Sequence, residues 1–202
     1  MKILGITGMT GSGKTTLLRE VEKCGGRALD CDRIYHSLLD SCIPMRSELQ
    51  AQFPKAFSGG TLDRKALGRI AFADPEKLNK LNDITHKYVI NEVKSELFKA
   101  HEAGTPLAAV DAIALVESGL GQLCDLTVCV TAPEEVRIER LMAREGISRD
   151  YALARVRAQK SEQEFCKMCD LRLENLGTRE EFEQKCQTFL KTFTTERKEH
   201  DE

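Results

Sequence analysis

The stretch Ile3 to Thr16 leaves this chain few folds to choose from. Gly8, Gly13, Lys14 and Thr15 fit the spacing G-x-x-x-x-G-K-[ST]. Glycines let the backbone turn tightly and bring its N–H groups up to phosphate oxygens, and a following helix adds the positive end of its dipole. Lys14 would reach the terminal phosphates, and the Thr15 hydroxyl would bind Mg²⁺. An apolar run (Ile3, Leu4, Ile6) precedes the loop and a helical pattern (Leu17, Leu18, Val21) follows it. Strand, loop and helix in that order are what the mechanism needs. A glycine-rich turn without a ligand is the bland alternative, and the flanking pattern weighs against it.

The remaining pattern extends this start into an α/β chain. Gly25-Gly26 stops the first helix, and Arg27 to Asp30 reads as a second strand. Asp30-Cys31-Asp32 then lies just past a strand end, where open α/β sheets bind ligands. One Asp can cap the next helix while the other handles an acceptor hydroxyl. Residues 44–100 read as a helical insertion. Pro54 and Gly59-Gly60 break it, residues 62–72 look helical, and apolar positions from Leu78 to Phe98 recur at helical spacing. His86 falls in that pattern, where a helix-surface histidine is as good a reading as a functional one.

Leu107 to Asp111 reads as a third strand ending in a carboxylate, either a second acidic group near Mg²⁺ or a cap. Leu126 to Thr131 is a continuous apolar strand, as in a sheet covered on both faces. Thr131 and Glu134 have capping-box spacing, with Pro133 in the first turn of the helix that follows. Arg137, Arg140 and Arg144 share one face of that helix, and after Gly146 a second helix carries Arg155, Arg157, Gln159 and Lys160. A basic hairpin here suits a lid that closes over phosphates; interleaved Glu134, Glu135, Glu139 and Glu145 allow an ordinary solvated face. Asp170 to Glu174 is the fifth strand candidate, Thr178 to Glu181 another capping box, and residues 179–193 a last helix. The charged tail Glu196 to Glu202 is expected to be disordered.

The chain has 202 residues, a formal net charge of −2 and eight cysteines. That charge gives no bulk attraction to nucleic acid or membrane, and no apolar run reaches spanning length. With no signal-peptide core ahead of the loop, a cytoplasmic protein with reduced thiols is expected. Cys166-Lys-Met-Cys169 has C-x-x-C spacing, but no second pair completes a metal-binding pattern. The architecture expected is a three-layer α/β/α P-loop NTPase core with a five-stranded parallel sheet, a helical insertion and a helical lid. Residues 1–43 and 105–202 would form the core, about 137–165 the lid, and 44–104 the acceptor-binding insertion.

Along nearly its whole length, about residues 3–193, the chain resembles the dephospho-CoA kinases. The pieces that carry the resemblance are Gly5 to Thr15, Leu29-Asp30-Cys31-Asp32, Gly60 to Leu67 with Ile70-Ala71-Phe72, and Leu115-Val116-Glu117. To these add Arg137 to Arg144, Ser148-Arg149, Arg157-Ala158-Gln159 and Asn175-Leu176-Gly177-Thr178. The resemblance implies transfer of the ATP γ-phosphoryl to the 3′-hydroxyl of dephospho-CoA, giving CoA. It implies Asp32 as the base and Gly11, Ser12, Gly13, Lys14, Thr15 and Thr16 as the ATP loop. Asn175 and Gly177 would lie near the adenine, and Arg140 and Arg144 would be catalytic lid arginines beside Lys14. Arg64, His86, Glu117 and Arg149 fall on the acceptor side, and Asp111 joins Thr15 toward Mg²⁺. A monomer is expected. Two departures stand out: His86 is followed by Lys87 where the family has Pro, and Asp111 by Ala-Ile-Ala-Leu where it has x-Pro-Leu-Leu. A P-loop kinase of another small acceptor, or an NTP-binding regulator without turnover, are the alternatives.

Overall fold

The computed structural model describes residues 1–195; the expectation for Glu196 to Glu202 lies outside the described residues. The chain divides into two compact units, Met1–Leu29 with the chain from Leu97 on, and Asp30–Glu96.

The first unit is built on a five-stranded sheet. Its strands are β1 (Lys2–Thr7), β2 (Arg27–Asp30), β5 (Leu107–Asp111), β6 (Leu126–Thr131) and β7 (Leu171–Glu174), in the order β2-β5-β1-β6-β7. β1 runs parallel to β5 and β6, and β6 parallel to β7. Strand side chains alternate, so Leu4 and Ile6, Leu107 and Ala109, and Val128 and Val130 share one face. They pack there with Leu17 and Val21 of α1 (Lys14–Lys23) and with Phe182, Cys186 and Leu190 of α9 (Arg179–Thr195). Burying one such Leu or Phe contributes about 1.5–3 kcal/mol, so this face is the main stabilising layer. Cys129, on the other face of β6, packs with Met9 and with Phe165 of α8 (Glu162–Lys167). Helices thus cover the parallel sheet on both faces, the three-layer α/β/α arrangement.

Between β6 and β7 stands a hairpin of α6 (Glu134–Glu145) and α7 (Arg149–Arg157), closed by its own core of Ile138, Leu141, Ala152 and Val156. α7 is shorter than its sequence pattern, so Gln159 and Lys160 lie beyond it. Nor does Thr131 cap α6. The helix starts at Glu134 with Pro133 at the cap position, while Thr131 closes β6 and its hydroxyl accepts from Arg172 Nε at 3.2 Å. The box at Thr178 forms as its spacing predicts: Thr178 N–H donates to Glu181 Oε2 at 2.7 Å, and Glu181 N–H to Thr178 Oγ1 at 3.2 Å. A second box, Ser161 with Glu164, opens α8 and was not read from the sequence.

The second unit holds α2 (Cys31–Ser41), α3 (Ile43–Gln52), α4 (Arg64–Phe72) and the first part of α5 (Pro75–Glu102). Its core is Leu39, Met45, Leu49, Phe53, Leu67, Ala71, Leu81 and Ile84. It is not purely helical. β3 (Phe57–Ser58) and β4 (Thr61–Leu62) pair antiparallel around Gly59-Gly60, so Leu62 is strand rather than the start of α4. Two glycines tolerate the positive φ that a tight hairpin turn needs. Asp63 then caps α4, accepting from Ala66 N–H at 3.0 Å.

Candidate active site

The loop between β1 and α1 takes its shape from two glycines. Gly8 has φ +136°, and a Cβ there would lie 2.3 Å from the Val130 carbonyl oxygen. Gly13 has φ +112° at the N-cap of α1, and a Cβ there would lie 2.4 Å from Asn175 Nδ2. Either side chain would displace the loop from β6 or from Asn175. Without a side-chain cap at Gly13, the first N–H groups of α1 remain available to an anion.

The cations of the loop rest on neutral oxygens. Lys14 Nζ donates to the Gly8 carbonyl at 3.0 Å and to Met9 at 3.5 Å. Arg140 Nη1 donates to the Gly11 carbonyl at 3.2 Å, and its Nη2 to Asn175 Oδ1 at 3.1 Å. Burial lowers the Arg140 pKa from the usual guanidinium value, though the group stays charged. Asn175 is only 3% exposed, and its Nδ2 donates to the Ser12 carbonyl at 2.8 Å. Its amide is therefore spent bracing the loop. Gly177 belongs to the α9 cap, where a Cβ would strike the Glu181 carboxylate at 2.1 Å. Thr16 N–H closes the first turn of α1 onto Gly13 at 2.9 Å.

The three arginines expected on one face meet three different fates. Arg140 grips the loop. Arg144 is exposed and pairs with Glu145 at 2.6 Å. Arg137 is 6% exposed beneath Gly11, its Nε and Nη1 have no hydrogen-bond partner, and burial lowers its pKa. Elsewhere in the hairpin the cations are neutralised. Arg149 pairs with Glu135 at 2.8 Å, Arg157 with Glu134 at 3.6 Å, and Arg155 with Glu145. Glu117 is held by Lys160.

Ser12 Oγ, in the loop, is buried without a hydrogen-bond partner. An unpartnered hydroxyl and a helix start without a side-chain cap fit a phosphate better than they fit a closed turn. Thr15 is exposed in the first turn of α1, and Asp111 is half-buried at the end of β5, in register with Ile6. These are hard oxygen donors of the kind Mg²⁺ takes. No cluster of three or more His, Cys, Asp or Glu among the described residues could hold a metal ion. Phosphate and water would thus supply most of its ligands. Just past β5, the Thr7 hydroxyl donates to the Ile113 carbonyl at 3.1 Å, and this bond fixes the segment that departs from the family pattern.

The second unit places Asp30, Asp32, Arg64 and His86 as follows. Asp30 is the capping residue, with Oδ1 accepting from Arg33 N–H at 3.1 Å. Asp32 is left exposed in the first turn of α2. Arg64 is tied to Asp40 and, through Nη1, to His36 Nδ1 at 3.3 Å. The hydrogen bond from Arg64 holds the Asp40 carboxyl below its ordinary range. His86 is half-buried on α5, and the following Lys87 pairs with Glu48.

A phosphate loop at the end of the central parallel strand, with a lysine, an arginine hairpin and a covered sheet around it, defines a P-loop phosphotransferase. The dephospho-CoA kinase family profile matches residues 2–181. A dephospho-CoA kinase of Carboxydothermus hydrogenoformans is 36% identical, over 94% of this chain and 93% of its own. One of Thermus thermophilus is 38% identical, over 95% and 92%. A Thermus thermophilus crystal structure superposes with a TM-score of 0.79 at 37% identity, covering 95% of this chain and 97% of that one. The chain belongs to the dephospho-CoA kinase family.

Proposed function

We propose that this chain transfers the γ-phosphoryl of ATP to the 3′-hydroxyl of dephospho-CoA, working with Mg²⁺ as a monomer in the cytoplasm. The observation that carries the reading is the set of loop cations held on neutral carbonyls. Lys14 and Arg140 can trade Gly8 and Gly11 oxygens for phosphate oxygens without leaving an unpaired carboxylate behind. Lys14 and the loop amides would hold the terminal phosphates and offset the charge that spreads over them in the transition state. Thr15 and Asp111 would hold Mg²⁺, which supplies further charge neutralisation at the phosphates. Asp32 would take the proton of the attacking hydroxyl. Arg144 reaches phosphate only by leaving Glu145, so its part is the smaller one. Arg64, His86, Glu117 and Arg149 would contact the acceptor, with the insertion at 44–104 as its binding region. No described helix is long and apolar enough to cross a membrane.

The test is ADP release from Mg²⁺-ATP with and without dephospho-CoA, and the mass of the product. Release that depends on dephospho-CoA, with one phosphate added to it, is the expected result. ATP bound without such turnover would move the acceptor to another small hydroxyl compound.

A further inference from the structure

One amide of the phosphate loop is already committed. Thr10 N–H donates to Gln159 Oε1 at 2.8 Å, across 149 positions of sequence. The carbonyl of the following residue, Gly11, is taken by Arg140 at 3.2 Å. Thr10 and Gly11 are thus held by Gln159, just past the end of α7, and by Arg140, midway along α6. Gln159 is itself well placed to hold still. α7 has ended at Arg157, Lys160 is pinned to Glu117, and the Ser161–Glu164 capping box starts α8 immediately afterwards. Phe165 of α8 packs in turn with Met9, the residue preceding Thr10.

We propose that Gln159 is a positioning residue for phosphoryl transfer. Its carboxamide oxygen fixes the Thr10 peptide plane, so that the amides after it point at one phosphate position, and it ties the hairpin to the loop. The acceptor must be neutral for this purpose. A carboxamide orients an N–H without repelling phosphate, whereas a carboxylate would do the first and fail the second. The proposal rests on the phosphotransferase reading above and adds a residue to it.

Gln159→Leu and Gln159→Glu separate the possibilities. In Gln159→Leu the Thr10 amide should exchange its hydrogen about tenfold faster, since one hydrogen bond is lost. Its kcat should fall about tenfold, while ATP affinity measured without acceptor stays within about threefold and the thermal midpoint is unchanged. Gln159→Glu keeps the oxygen. Thr10 exchange should stay slow and kcat should exceed that of Gln159→Leu, while the KM for ATP rises through charge repulsion. Unchanged Thr10 exchange in Gln159→Leu overturns the proposal, as does a kcat within twofold of the parent. A joint fall of kcat, ATP affinity and thermal midpoint would make the residue mere scaffold and also overturns it. Thr10 exchange needs no acceptor, so unchanged exchange overturns the proposal whether or not the parent turns over dephospho-CoA, and the two readings fail separately.

Discussion

The cations of the phosphate loop and those of the helical unit are tied down in different ways. Lys14 and Arg140 rest on carbonyls of Gly8 and Gly11. Arg64 and Lys87 rest on the carboxylates of Asp40 and Glu48. A carbonyl releases a cation to a phosphate at little cost, because no charge is left alone. A carboxylate releases it only if another cation or water takes over. The loop is therefore poised for exchange of partners, whereas these cations of the helical unit already sit in neutral pairs. A cation's partner in the free protein thus says more about its availability to an anion than its exposure does.

The largest effect that would break this contrast comes from Lys14→Ala. Turnover should fall about 10³-fold and ATP affinity should fall with it, in steady-state kinetics and equilibrium titration. If only one moved, Lys14 would not be the exchanging cation. Asp32→Asn should lower kcat about 10²-fold or more while ATP affinity stays near the parent value. Equal losses in both would contradict its role at the acceptor hydroxyl.

Asn175→Ala tests the brace beneath the loop. The Ser12 carbonyl and the Arg140 guanidinium each lose a partner. Unfolding stability should drop by about 1–3 kcal/mol, with weaker ATP binding, in denaturant titrations with and without nucleotide. Asp170→Asn should cost less, about 1 kcal/mol. The Asp170 carboxylate accepts from Thr127 N–H and Oγ1, both at 2.7 Å, and ties the starts of β6 and β7 together.

The smallest effect belongs to Glu48→Gln. Hydrogen bonds from Lys87 and then Tyr88 hold the Glu48 carboxyl below its ordinary value of 4.5. The pair's contribution is therefore fully present above pH 4.5 and fades as pH falls through the lower folded value. Thermal midpoints of parent and variant should converge in acid and separate slightly above it. A constant gap would show that the carboxylate's charge is irrelevant. The same bond pushes the Tyr88 hydroxyl up to about 12.

The loop was legible in the sequence because its constraint is local. Gly8 and Gly13 occupy conformations that few other residues tolerate, and that need shows in the short window from Gly8 to Thr15. Capping boxes were half legible. Thr178 and Glu181 form theirs, but Thr131 and Glu134 do not, because β6 runs through Thr131 and the spacing carries no information on where a strand stops. Asp30 and Asp32 were told apart only by the fold, which uses the first as the cap. The β3–β4 hairpin had its signal in Gly59-Gly60, masked by the helical patterns on both sides. Arg137 and Arg140 share a helix face in any projection. What separates them is that Arg140 reaches the Gly11 carbonyl with its guanidinium, whereas Arg137 meets Gly11 with its backbone. Gln159 was visible as part of Arg157-Ala158-Gln159, but its contact with Thr10, 149 residues earlier, was not.

Asn175 reaches the Ser12 carbonyl across 163 positions. During synthesis the phosphate loop leaves the ribosome well before its brace. At about 5–20 residues per second, that interval is roughly 8–30 s. The donor site is thus begun early and completed late, and the nascent chain carries its signature motif long before that motif has its brace.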